Sequence, residues 1–147
     1  MKLKEIMTPE VATIELDASL QQAAQMMASL DVGLLPIMLD DGLLGVITDR
    51  DITVRATARG LDPKRTDVRS AMTEAPVYAF EMQDVEDGVR LMMDNRIRRL
   101  PILNRNKQLV GIVSLGDLSK AVTDASLVAQ ALERISELSV PEALAHA

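Results

Sequence analysis

Cysteine is absent from the 147 residues, which removes disulfides, thiolate metal sites and cysteine nucleophiles and suits a reducing compartment. Histidine occurs once, as His146 near the end, so the usual nucleophile–base pairs have no internal imidazole. One tyrosine, one phenylalanine and no tryptophan leave no stacking platform for single-stranded nucleic acid, and a net charge of -6 with a pI near 4.8 opposes a polyanion. No apolar run approaches the roughly 20 residues that span a bilayer. Met1-Lys2-Leu3-Lys4-Glu5 leads into charge rather than into a signal-peptide core. Neither nucleic acid nor membrane is expected as a partner, and a cytoplasmic location is expected. Gly-rich phosphate loops and metal-ligand spacings are also missing, so the chain reads as a binding protein and not an enzyme.

What the chain does have is length and apolar content for a real core, 48% hydrophobic, and it is written twice. Met7-Thr8, Leu35-Pro36-Ile37 and Gly45-Val46-Ile47-Thr48-Asp49-Arg50-Asp51-Ile52 return as Met72-Thr73, Leu100-Pro101-Ile102 and Gly111-Ile112-Val113-Ser114-Leu115-Gly116-Asp117-Leu118. One offset superimposes Met7 on Met72 and Pro36 on Pro101 without a gap. The offset grows by one residue only where Leu39-Asp40-Asp41-Gly42 faces Asn104 to Gln108, in a loop where length changes are cheap. A tandem copy of this kind implies two half-domains with related clefts between them.

Each copy reads as β-α-β-β-α. In the first, the pattern predicts a strand over Val11 to Leu16 and a capped helix carrying Leu20, Ala23, Met27 and Leu30 that ends near Gly33. A hairpin around Asp40-Asp41-Gly42 and a helix from about Asp49 to Arg59, stopped at Gly60, follow. In the second, a strand over Val77 to Phe80, a helix with Val85, Val89 and Met92, two strands and a helix from Leu115 toward Val122 repeat the order. The paired methionines Met26, Met27, Met92 and Met93 sit at helix positions suited to filling core gaps. Gly60 to Asp67 marks a linker. From Asp124 to Leu138, closed off by Pro141, an amphipathic helix with Leu127, Ala131 and Ile135 suits a cover over the pair's own core ahead of a partner surface.

Thr48-x-x-Asp51 and Ser114-x-x-Asp117 each stand where an apolar strand hands over to a helix. A hydroxyl followed by an acid three residues on is a capping box, which alone would account for either copy. The same helix start binds anions, and the carboxylate, which would repel phosphate, can instead accept hydrogen bonds from two vicinal ribose hydroxyls. That combination suits a nucleotide.

With these motifs in place, the span from about Met1 to Val122 resembles a tandem pair of CBS domains, the module named after cystathionine beta-synthase. The resemblance implies an α+β fold of two β-α-β-β-α repeats, 1–62 and 63–123, related by a pseudo-twofold axis, with a helical tail over 124–147. It implies an adenosine-containing ligand, AMP, ADP, ATP or S-adenosylmethionine, with or without a divalent ion, bound in clefts between the repeats; no cofactor is required. Carried over, Asp51 and Asp117 would hold ribose hydroxyls and Thr48 and Ser114 the ribose-phosphate end. Val11, Ala12 and Ile37, with Val77 and Ile102, would line the adenine slots. Arg50 and one of Arg98 or Arg99 are expected to face phosphate, although sequence does not assign them to a cleft. A homodimer through helical faces and a separate effector protein that reads the ligand state complete the expectation. The competing reading is a ligand-free interaction scaffold in which Thr48, Asp51, Ser114 and Asp117 are only caps.

Overall fold

The computed structural model describes residues 1–137, and the sequence-predicted helix end at Leu138, the Pro141 stop and His146 lie outside them. The chain folds into two small α+β bodies, each with its own sheet and core. The first has helix α2 (Leu20–Leu30) over a sheet ordered β1-β2-β3-β4, built from β1 (Ile14–Glu15), β2 (Leu34–Leu39), β3 (Gly42–Thr48) and β4 (Thr73–Glu74). The second has α4 (Val85–Asn95) and α5 (Leu115–Ala121) with β5 (Ala79–Phe80), β6 (Arg99–Leu103) and β7 (Leu109–Ser114). The register repeats as closely as the sequence: Ile14 pairs in parallel with Ile37, Ala79 with Ile102, and both central strands slip register just after that isoleucine.

Helix starts and stops follow side-chain chemistry. Ser19 accepts from the Gln22 amide at 3.1 Å, while the Gln22 side chain accepts from the Ser19 amide at 2.8 Å, closing the first orphan donors of α2. The helix then stops at Leu30, three residues before the glycine expected to end it, because Asp31 adopts the left-handed conformation with φ 54°. Arg96 does the same after α4, with φ 52°. Beyond Thr48 the helical stretch is mixed: α3 (Asp49–Asp51) runs into a π turn over Ile52–Ala56 and a 3-10 turn over Thr57–Arg59, ended at Gly60 with φ 71°.

The strands expected over Val11 to Leu16 and Val77 to Phe80 shrink to Ile14–Glu15 and Ala79–Phe80. Their leading residues stay outside the ladder and reach the clefts described below. Short α1 (Leu3–Ile6) and strand β4 were not foreseen, and both belong to an exchange between the bodies. The Met72-Thr73 start of the second repeat pairs with β3 of the first, Thr73 opposite Val46. The Met7-Thr8 start of the first repeat bridges β7 of the second, Thr8 opposite Ile112. Leu3 is completely buried in the second core, among Val85, Val89 and Leu118, and Val68 is completely buried in the first, among Leu20, Ile37 and Ile47. Each repeat thus lends its leading segment to the other's body.

Met27 and Met92 are buried, with Met26 and Met93 packed beside the two cores. Helix α6 (Ala125–Ser136), capped by Asp124, buries Leu127, Ala131 and Ile135 on the second core and so serves as a cover. A surface clip ties the N-terminal segment down: Lys2 Nζ lies 2.9 Å from Asp84 Oδ1. Hydrogen bonding to Lys2 holds the Asp84 carboxyl below its ordinary range, so this contribution is present above the ordinary carboxylate pKa of 3.8 and is lost as the pH falls through the lowered value. Both groups are exposed, and the effect is correspondingly small. Lys2→Met is expected to lower stability slightly in urea melts at pH 7, with the deficit shrinking as the pH falls through the lowered Asp84 value; a deficit that does not change with pH would show that the lysine acts through packing.

Candidate ligand-binding clefts

Two of the clefts between the bodies are lined by sequence-predicted site residues, and each crosses the repeats. The first, of about 450 Å³, sets Thr8, Glu10, Val11, Ala12 and Asp31 of the first repeat against Arg99, Ile112, Ser114 and Asp117 of the second. The second, of about 540 Å³, sets Thr48, Asp49 and Arg50 against Thr73, Val77, Arg96, Arg98 and Arg99. Both volumes suit a small-molecule ligand. Leu34 and Arg99, which align in the repeat, line both clefts and therefore mark the pseudo-twofold axis. The crossing follows from the exchange of leading segments: Val11 and Val77 each follow a Met-Thr start that is held on the opposite sheet.

Val11 and Ala12 line the first cleft and Val77 lines the second. Ile37 and Ile102 do not: both are completely buried, each in the core of its own body. In the Leu-Pro-Ile strands the alternation that turns the flanking leucine and isoleucine inward leaves the proline on the other face, and it is Pro101 that lines the second cleft. Arg50 and Arg98 line the second cleft, whereas Arg99 faces both. Arg96 was missed. Its signal was available in the repeat register, where it aligns with Asp31 and reverses the charge at an equivalent helix end.

The two hydroxyl–acid pairs form matching capping boxes. Asp51 N–H donates to Thr48 Oγ1 and Thr48 N–H donates to Asp51 Oδ2, each at 3.0 Å. Asp117 N–H donates to Ser114 Oγ at 3.0 Å and Ser114 N–H to Asp117 Oδ2 at 2.9 Å. Beyond the cap the pairs differ. The Thr73 hydroxyl lies 3.2 and 3.3 Å from the two Asp51 carboxylate oxygens, and Arg55 Nε lies 3.7 Å from Oδ1. Arg55 is itself held by donating to the Met72 carbonyl at 2.9 Å. Asp51 is buried and does not line its cleft, while Asp117 lines the first cleft, half-exposed, with no further side chain bonded to it among the described residues. The cause is again readable in the register, since Ala121 stands where the first repeat has Arg55.

The charge of the clefts differs at aligned positions. Glu10 in the first answers to Ala75 in the second, Asp31 to Arg96, and Gly116, outside the first cleft wall, to Arg50. Among the described residues the first cleft carries three carboxylates and one guanidinium, and the second four guanidiniums and one carboxylate, that of Asp49. At the rim of the second, Arg96 Nη2 meets Glu137 Oε2 at 3.3 Å and Arg98 Nη2 meets Ser136 Oγ at 3.5 Å. Gly33 is required where it stands, because a Cβ there would lie 2.9 Å from Asp49 Oδ2 and 3.4 Å from Arg99 Nη1.

Paired β-α-β-β-α bodies on a pseudo-twofold axis, with crossed clefts between them, define a duplicated module. The CBS domain family model matches residues 3–56 and again 67–124, and the chain belongs to that family. The CBS domain-containing protein YhcV of Bacillus subtilis is 38% identical over 138 residues, which is 94% of this chain and 97% of that protein. The crystal structure of Hypoxic Response Protein I with two coordinated zinc ions matches with a TM-score of 0.75 at 31% identity, over 83% of this chain and 99% of that one. The CBS domain pair of protein MJ0100, in complex with 5′-methylthioadenosine and S-adenosyl-L-methionine, matches with a TM-score of 0.74 at 25% identity, over 82% and 94%. Among the described residues of this chain no three His, Cys, Asp or Glu side chains gather as a metal-binding group, and no helix is long and apolar enough to cross a membrane.

Proposed function

We propose that the chain is a non-catalytic regulatory module that binds an adenosine-containing ligand between its repeats and signals to a partner protein by a shift in how the two bodies pack. The observation that carries this reading is Asp117. Its carboxylate opens onto the first cleft beside Ser114 and opposite the unpaired segment at Val11 and Ala12, where a ribose diol and an adenine edge would find acceptor and backbone. The adenosine ligands bound to the MJ0100 pair support the same ligand class here. Because each cleft takes walls from both bodies, a ligand that fits one relative packing better than another shifts the pair toward it by that difference in affinity. A homodimer through helical faces, where Val54 and Leu132 are half-exposed, and a separate effector complete the proposal, as does a cytoplasmic location.

A thermal-shift series with AMP, ATP, S-adenosylmethionine and GMP tests it. A bound ligand at about a hundred times its dissociation constant should stabilise by about 2.7 kcal/mol, several degrees for a chain of this size. Asp117→Ala should remove most of the shift caused by the adenosine ligand that binds the first cleft, measured against the same variant without ligand. Asp51→Ala should change that shift little, its carboxylate being sealed by Thr73 and Arg55. The reciprocal capping boxes favour a second reading, a ligand-free interaction scaffold; the absence of any shift with all four compounds would establish it.

A further inference from the structure

We infer that the two clefts divide the ligand class between them, the first accepting an adenosine whose 5′ substituent carries no phosphate and the second accepting a 5′-phosphorylated nucleotide. This rests on the adenosine reading of the clefts and deepens it. The argument is the charge exchange at aligned positions. A nucleoside in the first cleft would have Asp117 for its ribose hydroxyls, but its 5′ end would share a small cavity with Glu10 and Asp31, with Arg99 as the single opposing cation. A phosphate dianion there meets net repulsion, whereas a neutral thioether or a sulfonium does not.

In the second cleft the carboxylate suited to a ribose is closed off by Thr73 and Arg55, so recognition through the sugar is weakened. In its place Arg50, Arg96, Arg98 and Arg99 converge on one cavity, with Asp49 the one acid among the described residues that line it. Guanidinium forks suit phosphate oxygens geometrically as well as electrically. A phosphate has to compete with Glu137 for Arg96, an exposed pair that costs little to part. Arg99, at the axis, serves both clefts and so makes each sensitive to what occupies the other.

Titration calorimetry of the full chain with 5′-methylthioadenosine and with AMP, each alone and each with the other at saturation, decides the matter. The expected result is one site for each compound, with neither displacing the other and only the AMP affinity falling as salt is raised. Arg96→Asp should weaken AMP roughly tenfold and leave 5′-methylthioadenosine within about twofold. Asp31→Arg should give the first cleft a second AMP site. Both positions are exposed helix ends, and each new side chain has the sign its repeat partner already carries there. Arg50→Gly, which copies the other repeat, provides an independent check and should weaken AMP alone. If the two compounds compete for one site, or AMP fills two equal sites, the division is overturned while the adenosine reading stands. If neither compound binds, both are overturned.

Discussion

Leu3→Ala is expected to lower the stability of the whole chain by about 3 kcal/mol, a fall in Tm on the order of 10 °C, although the residue lies at the very start of the sequence. Terminal residues of most domains are dispensable. This one is completely buried in the core of the opposite body. It lies so close to α4 that a Cβ on Gly88 would come within 3.0 Å of its Cδ2. Its amide donates to the Gln83 carbonyl at 2.9 Å, and Thr8, five residues on, exchanges hydrogen bonds with Ile112. Truncation leaves a cavity walled by Val85, Val89 and Leu118, whose backbones are fixed by helix and sheet and cannot collapse onto it. Because the segment is joined to the first body and packed in the second, the loss is expected in one cooperative transition and not in a separate early step. Chemical denaturation followed by circular dichroism checks this; a loss under about 1 kcal/mol would mean that residues 1–8 dock only loosely.

Much of this arrangement was legible in the repeat and little of it in either copy alone. Hydrophobic periodicity located α2, α4 and α6, and the hydroxyl–acid pairs located the strand-to-helix corners. Periodicity carries no information on which sheet edge a two-residue strand will pair with, so β4 and the Thr8 bridge went unseen. With them went the reason why the Met-Thr dipeptide recurs. The carry-over by resemblance placed Ile37 and Ile102 at the clefts, whereas both are completely buried: a buried strand is apolar on both faces, and the side facing the cleft is set by the pleat. The divergence of the clefts, by contrast, was fully present in the register. Asp31 against Arg96, Glu10 against Ala75 and Arg55 against Ala121 are differences between two copies of one design, and they acquire meaning only when the fold sets each beside a cavity.

The exchange of leading segments also makes unequal demands on the two aligned glycines Gly45 and Gly111, and this yields the second large effect. A Cβ at Gly45 would stand 2.7 Å from the Thr73 carbonyl oxygen, whereas one at Gly111 would meet the side chain of Met7, its Sδ nearest, then its Cγ at 2.7 Å and its Cβ at 3.1 Å. A methionine can swing aside; a backbone carbonyl bound into a ladder cannot. Gly45→Ala is therefore expected to cost about 2 to 3 kcal/mol, against about 1 kcal/mol or less for Gly111→Ala. The larger loss has a functional signature as well. Relief of the clash moves Thr73 away from β3, and Thr73 supplies the hydroxyl that, with Arg55, seals Asp51. Gly45→Ala should thus turn the Asp51 carboxylate toward the second cleft, weakening its preference for phosphate and allowing a nucleoside without phosphate to enter. Melting curves rank the two glycines, and calorimetry with 5′-methylthioadenosine reads the release of Asp51. Equal costs at both positions would mean that β4 yields as easily as a side chain, and the seal on Asp51 would then owe its strength to Arg55 alone.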